Sequence, residues 1–229
     1  MENHTKSVII TGANRGIGLE LTKVFAKAGY HVMATARKPL QAVELINLAN
    51  NYGHDISIFK LDVASKLSVD NFSKTIADTP VEILINNAGI LDTYESSIDK
   101  IDLVSFAEVL TTNTISPIRV MRAAMKSLRL GNAKKVANIS SNMGSFNNQS
   151  TGAQAYRTSK AALNKVMQIL GQEHKAEGFT IMNLHPGWVK TDMGGTEADI
   201  DAQTSAQGLF NVIEMTTAEQ ADQIISYDG

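Results

Sequence analysis

The sequence predicts an α/β fold: one doubly wound parallel sheet with helices on both faces. Three observations carry that prediction. Short strand-like runs alternate with helix-period stretches from Ser7 to Tyr227. The run Val81–Ile85 is apolar in nearly every position, as a parallel strand buried on both faces requires. The first run, Ser7–Thr11, feeds directly into a glycine turn that opens a helix.

Bulk composition narrows the function classes. With 229 residues, 43% of them hydrophobic, the chain suits one sizeable α/β domain over 1–229 and is not a disordered polymer. The formal net charge is −2 with acids and bases interspersed, so no nucleic-acid partner is expected. The absence of cysteine removes disulfides, thiol catalysis and thiolate metal sites. No His/Asp/Glu cluster has metal-ligand spacing, so no metal is expected. Met1–Lys6 is polar and only Val8–Ile10 follows as an apolar run, so no secretory leader is expected. No later run approaches membrane-spanning length. The expectation is a cytoplasmic protein without a membrane partner. The nine methionines have no special spacing and read as packing.

The elements follow in order. After Gly12-Ala-Asn-Arg-Gly16-Ile-Gly18, residues Leu19, Leu21, Val24, Phe25 and Ala28 recur at helical spacing. Glycines there permit tight geometry and let main-chain N–H groups approach a phosphate at the helix N-terminus. Tyr30–Ala36 reads as the second strand, whose end should face an adenosine ribose. No Asp or Glu stands between Glu20 and Glu44 to take a ribose 2′-hydroxyl, whereas Arg15, Arg37 and Lys38 are present. Arginines there pair with a 2′-phosphate, so NADP(H) is favoured over NAD(H).

Pro39 is read as opening a helix that runs to about Asn50. Ile56–Leu61 is the third strand and ends in Asp62-Val63, where the carboxylate either meets an adenine amino group or caps the next helix. Leu67–Ala77 is that helix, and Val81–Ile85 leads into Asn86-Asn87-Ala88-Gly89. Small and amide residues there suit a backbone that passes close to a ligand, and they also form turns. Ile101–Leu130 reads mostly helical, interrupted around Asn113 and Pro117, where proline removes a helical hydrogen bond. Lys135–Ser140 is the fifth strand and emerges at Ser140-Ser141. A polar loop over 142–155 precedes a helix starting at Tyr156. Phe179–Leu184 is the sixth strand and ends in His185-Pro186-Gly187. Ile200–Met215 contains another helix, and Ile224–Tyr227 is the last strand.

Tyr156 and Lys160 lie four apart and so share one helix face. An ammonium beside a phenol favours the phenolate, which suits Tyr156 to proton transfer near neutral pH. The apolar stripe on this helix, from Ala161 to Leu170, is wider than one sheet face requires. It is expected to be covered also by a partner subunit, as in a homodimer. The segment from Trp188 to about Asp201, with two glycines and Met193, reads as a substrate lid.

Four motifs in register, Thr11-Gly12-x-x-x-Gly16-Ile17-Gly18, Asn86-Asn87-Ala88-Gly89, Tyr156-x-x-x-Lys160 and Pro186-Gly187, resemble the short-chain dehydrogenase/reductase superfamily nearly end to end. Tyr156–Lys160 and His185–Gly195 further resemble its carbonyl-reductase-like branch, which includes the Sniffer-type reductases and the bacterial C-factor proteins. The resemblance implies a Rossmann-like domain and NADPH-dependent reduction of an aldehyde, ketone or quinone, or the reverse oxidation of an alcohol. Tyr156 would then donate the proton, Ser141 would hold the carbonyl oxygen, and Lys160 would bind the nicotinamide ribose. Asn113 would hold a water behind the lysine. Ser140 competes with Ser141 for its role. Gly12, Asn14, Arg15, Ile17 and Gly18 would line the phosphates and adenosine, Arg37 the 2′-phosphate, and Asp62 and Val63 the adenine. Asn87, Ala88 and Gly89 would flank the ribose and nicotinamide, with Tyr156 and Lys160. Pro186, Gly187, Val189 and Thr191 would hold the nicotinamide side. His185 is read as structural, and His174 as lying on a solvated helix. The C-factor likeness also admits a cofactor-binding signalling protein with little turnover.

Overall fold

The computed structural model describes residues 6–92, 97–221 and 223–229. Strand-forming residues build β1 (Ser7–Ile10), β2 (His31–Ala36), β3 (Ile56–Lys60), β4 (Ile83–Asn86), β5 (Lys135–Ile139), β6 (Thr180–His185) and β7 (Ile224–Ser226). They form one sheet in the order β3-β2-β1-β4-β5-β6-β7, with every neighbouring pair parallel. From β1 the chain first winds outward through β2 and β3, then returns to β4 on the other side of β1. That reversal leaves a crevice at the carboxyl ends of β1 and β4.

The helices are α1 (Gly16–Lys27), α2 (Val43–Tyr52), α3 (Lys66–Ile76), α4 (Leu103–Leu110), α5 (Ser116–Leu130), α6 (Gln154–His174) and α7 (Ala202–Met215). Side chains alternate across the pleat, so Val8 and Ile10 enter one core while Ile9 enters the other. The first core packs Leu21, Phe25, Leu45, Leu209 and Ile213 on one face of the sheet. The second packs Phe72, Met121, Leu128, Leu163 and Met167 on the other. Continuous apolar strands are therefore a consequence of burial on both faces. Among the described residues, no helix is long and apolar enough to cross a membrane.

Some local expectations change. Pro39 opens only a short 3₁₀ turn, Pro39–Gln41, and Ala42 (φ −85°, ψ 65°) leaves helical geometry before α2 begins at Val43. The helix that carries Tyr156 begins at Gln154, two residues before it, and the preceding loop contains a 3₁₀ turn over Asn142–Gly144. The stretch read as one interrupted helix is α4 and α5 joined by a π turn over Thr111–Ile115. There the Ser116 N–H reaches the Thr111 carbonyl, and Pro117, in the first turn of α5, has no N–H to give Asn113. His174 is less solvated than expected: it sits at the end of α6, 2.8 Å from Glu177 and edge-on to Phe179.

Candidate active site

All the strands point their carboxyl ends the same way, so segments far apart in sequence meet along one edge. At the first strand end, Gly12 has φ +66°, and a Cβ there would press within 3.1 Å of the Ala88 backbone. A side chain at Gly18 would collide with the Gly12 carbonyl and the Asn87 amide. The Asn87 side chain donates to the carbonyls of Thr11 (2.9 Å) and Gly12 (3.1 Å). The Thr11 hydroxyl accepts the N–H groups of Asn87 (2.9 Å) and Ala88 (3.0 Å). The glycine turn and the turn after β4 are thus sewn together across the crevice.

α1 begins with Arg15 at its cap position, without a side-chain cap and without an acidic residue in its first turn. Its leading amides are oriented for an anion. Half-buried Asn14 and Ile17 flank this turn. Arg15 is exposed and forms an ion pair with Asp192 of the segment after β6. Arg37 is exposed just beyond β2. A cradle that admits no Cβ, a helix start without acid and two arginines fit the phosphates of a dinucleotide.

Asp62 accepts the N–H of Ala64 at 3.1 Å, two residues on. It does not cap α3, whose cap is Ser65, accepting Ser68 N–H at 3.3 Å. The neighbouring Val63 is buried, and its carbonyl accepts from Arg119 at 3.2 Å.

The second half of the site surrounds Lys160. Its side chain is only 5% exposed, and Nζ donates to the Ile139 carbonyl at the end of β5, at 2.7 Å. Burial pulls this ammonium from 10.5 down to about 8. Nζ lies 5.5 Å from the centre of the Tyr156 ring. Asn113, buried in the π turn, exchanges two hydrogen bonds with the backbone of Ile90: its oxygen accepts at 2.9 Å and its amide donates at 2.8 Å. The same amide reaches the Ser159 hydroxyl at 3.0 Å, which itself donates to the Tyr156 carbonyl at 2.7 Å. A Cβ on Gly89 would stand 3.3 Å from the Asn113 oxygen and 3.8 Å from Lys160 Nζ.

The two adjacent serines face different partners. Ser140 donates to Asn164 Oδ1 at 2.5 Å, whereas Ser141 Oγ accepts Met143 N–H at 3.1 Å. Across the cleft, Ser205 donates to the Pro186 carbonyl at 2.7 Å. Gly187 has φ +83°, and a Cβ there would meet Ile200 and Tyr227. Val189 bridges to Ile200, while Thr191 accepts Gly194 N–H at 3.1 Å. The 188–201 segment is therefore a hydrogen-bonded loop. His185 Nδ1 accepts Asn142 N–H at 3.4 Å, tying the end of β6 to the serine turn.

Most residues singled out from the sequence lie at or beyond a strand end; Ile17 and Gly18 lie in the first turn of α1, Asn113 in the π turn, and Tyr156 and Lys160 on α6. Thr11, Ile90 and Asp92 were missed. Thr11 stood in the glycine motif itself. Ile90 acts through its backbone, and Asp92 acts on residues 63 and 64 positions away, so neither leaves a local signal.

The arrangement defines a class: a doubly wound α/β protein with a glycine cradle at one strand end, joined through the 87–89 turn to a tyrosine–lysine pair. A family pattern described as short chain dehydrogenase matches residues 6–201, and the chain belongs to the short-chain dehydrogenase/reductase superfamily of oxidoreductases. It is 38% identical over 159 residues to the C-signal protein of Myxococcus xanthus, covering 69% of this chain and 95% of that one. The carbonyl reductase Sniffer of D. melanogaster superposes with a TM-score of 0.89 at 34% identity, covering 99% of this chain and 98% of that one. An NADPH-bound carbonyl reductase from chicken fatty liver superposes with a TM-score of 0.90 at 32% identity, with the same coverage.

Proposed function

We propose that the chain reduces a carbonyl compound, an aldehyde, ketone or quinone, to the alcohol with NADPH. The observation that carries this reading is the buried Lys160 ammonium beneath Tyr156, opposite the glycine cradle. The likeness to an NADPH-bound carbonyl reductase supports the cofactor and the substrate class. Gly12, Asn14, Arg15, Ile17 and Gly18 would hold the phosphates, with Arg37 on the 2′-phosphate and Asp62-Val63 at the adenine. Asn87, Ala88, Gly89, Pro186, Gly187, Val189 and Thr191 would hold the ribose and nicotinamide, and 188–201 would cover the substrate. The bound cofactor supplies a hydride to the carbonyl carbon.

The protein's own part is positioning and proton transfer. Tyr156 gives its hydroxyl proton to the carbonyl oxygen as the alkoxide forms. The neighbouring Lys160 ammonium favours the phenolate left behind. Ser141 orients the carbonyl oxygen by donating a hydrogen bond to it. What supports Ser141 over Ser140 is that the Ser140 hydroxyl is already given to Asn164. Asn113 braces the Ile90 backbone behind the lysine. A homodimer belongs to the same reading, because α4 and α6 carry exposed Leu103, Val104 and Ile169.

The test follows NADPH oxidation at 340 nm against a panel of aldehydes, ketones and quinones, with Tyr156→Phe beside the parent. Turnover should fall about a hundredfold or more in the variant while NADPH binding persists. A second reading, a nucleotide-binding signalling protein with little turnover, is favoured by the C-signal likeness. It gains if the parent binds NADPH tightly and turns over nothing in the panel.

A further inference from the structure

The helix that carries Tyr156 cannot cap itself. A side-chain cap needs an extended cap residue, so that a Ser, Thr, Asp or Asn oxygen turns back on the first free amides. The cap position of α6 is Ala153, with φ +50° and ψ +47°, a left-handed conformation and a side chain with no acceptor. It follows Gly152, also left-handed at φ +81°, and both are held within the fold: Ala153 is fully buried, and Arg157 donates to the Gly152 carbonyl at 2.8 Å. Two left-handed residues in succession turn the chain abruptly into α6. They leave its leading amides pointing at whatever lies opposite.

What lies opposite is Asp92. Its two carboxylate oxygens divide the work: Oδ2 accepts Ala155 N–H at 3.1 Å and Oδ1 accepts Tyr156 N–H at 3.0 Å. The second of these is the backbone of the proton-donating residue itself. A carboxylate here also meets the positive end of the helix dipole. Asp92 closes a short strap, Asn87 to Asp92, that touches three parts of the site. Asn87 binds the glycine turn, Ile90 binds Asn113, and Asp92 binds the start of α6.

We infer that Asp92 is a positioning residue for the reaction: it caps α6 from outside and sets where Tyr156 stands relative to the cofactor side of the cleft. The inference rests on the proposed role of Tyr156. The geometry divides the consequences of losing it. The contacts of the glycine cradle do not pass through Asp92, so cofactor affinity should survive. The placement of Tyr156 does pass through it, and small displacements of a reacting group are costly in rate.

The experiment compares the parent, Asp92→Ala, Asp92→Asn and Tyr156→Phe in the full-length protein. It measures kcat, KM, the NADPH dissociation constant by fluorescence titration, and amide hydrogen exchange over 154–158. Asp92→Ala should lower kcat about tenfold or more while the NADPH dissociation constant stays within about threefold. Exchange should quicken in the first turn of α6. Asp92→Asn keeps the shape and one acceptor oxygen, so it should recover part of kcat. If Asp92→Ala does not fold, the smaller loss in Asp92→Asn decides the matter by the same split. Parent-like kcat and exchange in the folded variants overturn the inference. So does a parallel collapse of kcat, NADPH affinity and protection throughout the chain, which would make Asp92 merely structural. Should Tyr156→Phe retain full turnover, the proposed reaction fails; faster exchange at 154–158 in Asp92→Ala would still establish the cap.

Discussion

An ammonium sealed between a helix and a sheet is an unfavourable thing for a fold to keep, and Lys160 is such a group. The 2.7 Å bond to Ile139 compensates only part of its lost hydration. Its fall from 10.5 to about 8 corresponds to roughly 3 kcal/mol against the charged form. The sign follows from proton binding. Between about pH 8 and 10.5 the unfolded chain holds the lysine proton more than the folded chain does, so this group's contribution to stability rises with pH across that window. Below pH 8 the cost is present in full. Lys160→Met should therefore stabilise the ligand-free protein at pH 7 by about 1–2 kcal/mol, the lost hydrogen bond offsetting the rest, while turnover collapses. Thermal unfolding of both proteins at pH 7 and pH 10 checks this. The gap should narrow at pH 10, and a variant less stable than the parent at pH 7 would refute the account. The spacing of Tyr156 and Lys160 was legible in the sequence because helix periodicity is local. The partners Ile139 and Asp92 were not, because they are brought in by other elements, and Asn113 was reached only through the family resemblance.

The close approach of the serine turn to α6 depends on Gly144. A Cβ there would sit 2.7 Å from the Ala161 nitrogen and the Lys160 carbonyl carbon. Those atoms belong to a helix backbone and cannot give way cheaply. Gly144→Ala should therefore push the 142–144 turn, and Ser141 with it, away from α6. The expected result is a stability loss of about 1–3 kcal/mol and a clear fall in kcat, with NADPH affinity nearly unchanged. Denaturant unfolding and steady-state kinetics check it, and unchanged kcat would mean that the turn retreats without carrying Ser141. The interruption near Asn113 and Pro117 was visible because proline's missing N–H is a property of one residue. Its form as a π turn was not, since that depends on how α4 and the turn itself settle against α6. Pro39 shows the converse. Its fixed φ suits a helix start, yet Ala42 breaks the run before α2.

At the scale of the whole molecule, the strand order places two distant arginines on one side of the crevice. Arg15 enters from the β1 end and Arg37 from the β2 end, and β1 pairs directly with β2. Exposed charges are worth little for stability, and the use proposed for these two is recognition of the cofactor's phosphates. Arg37→Asp should weaken NADPH binding about tenfold or more and leave NADH binding nearly unchanged or improved, because the 2′-phosphate loses a partner. Titration of both cofactors checks this, and equal effects on the two would remove Arg37 from the 2′-phosphate site. Arg15 adds a contact that the sequence did not announce: its ion pair with Asp192 spans 177 positions and joins the glycine turn to the 188–201 loop.

By itself the sequence determined the α/β class, the number and order of strands along the chain, the glycine turn and the Tyr156–Lys160 face. These rest on periodicity and on the stereochemistry of single glycines and prolines, which act over a few residues. Only the tertiary structure decided which strands lie side by side, which serine hydroxyl is given to Asn164, that Ser65 and not Asp62 caps α3, and that Asp92 caps α6. Those outcomes depend on burying two apolar faces of one sheet at once. That burial brings segments dozens of residues apart within hydrogen-bond distance, and no local pattern records the meeting.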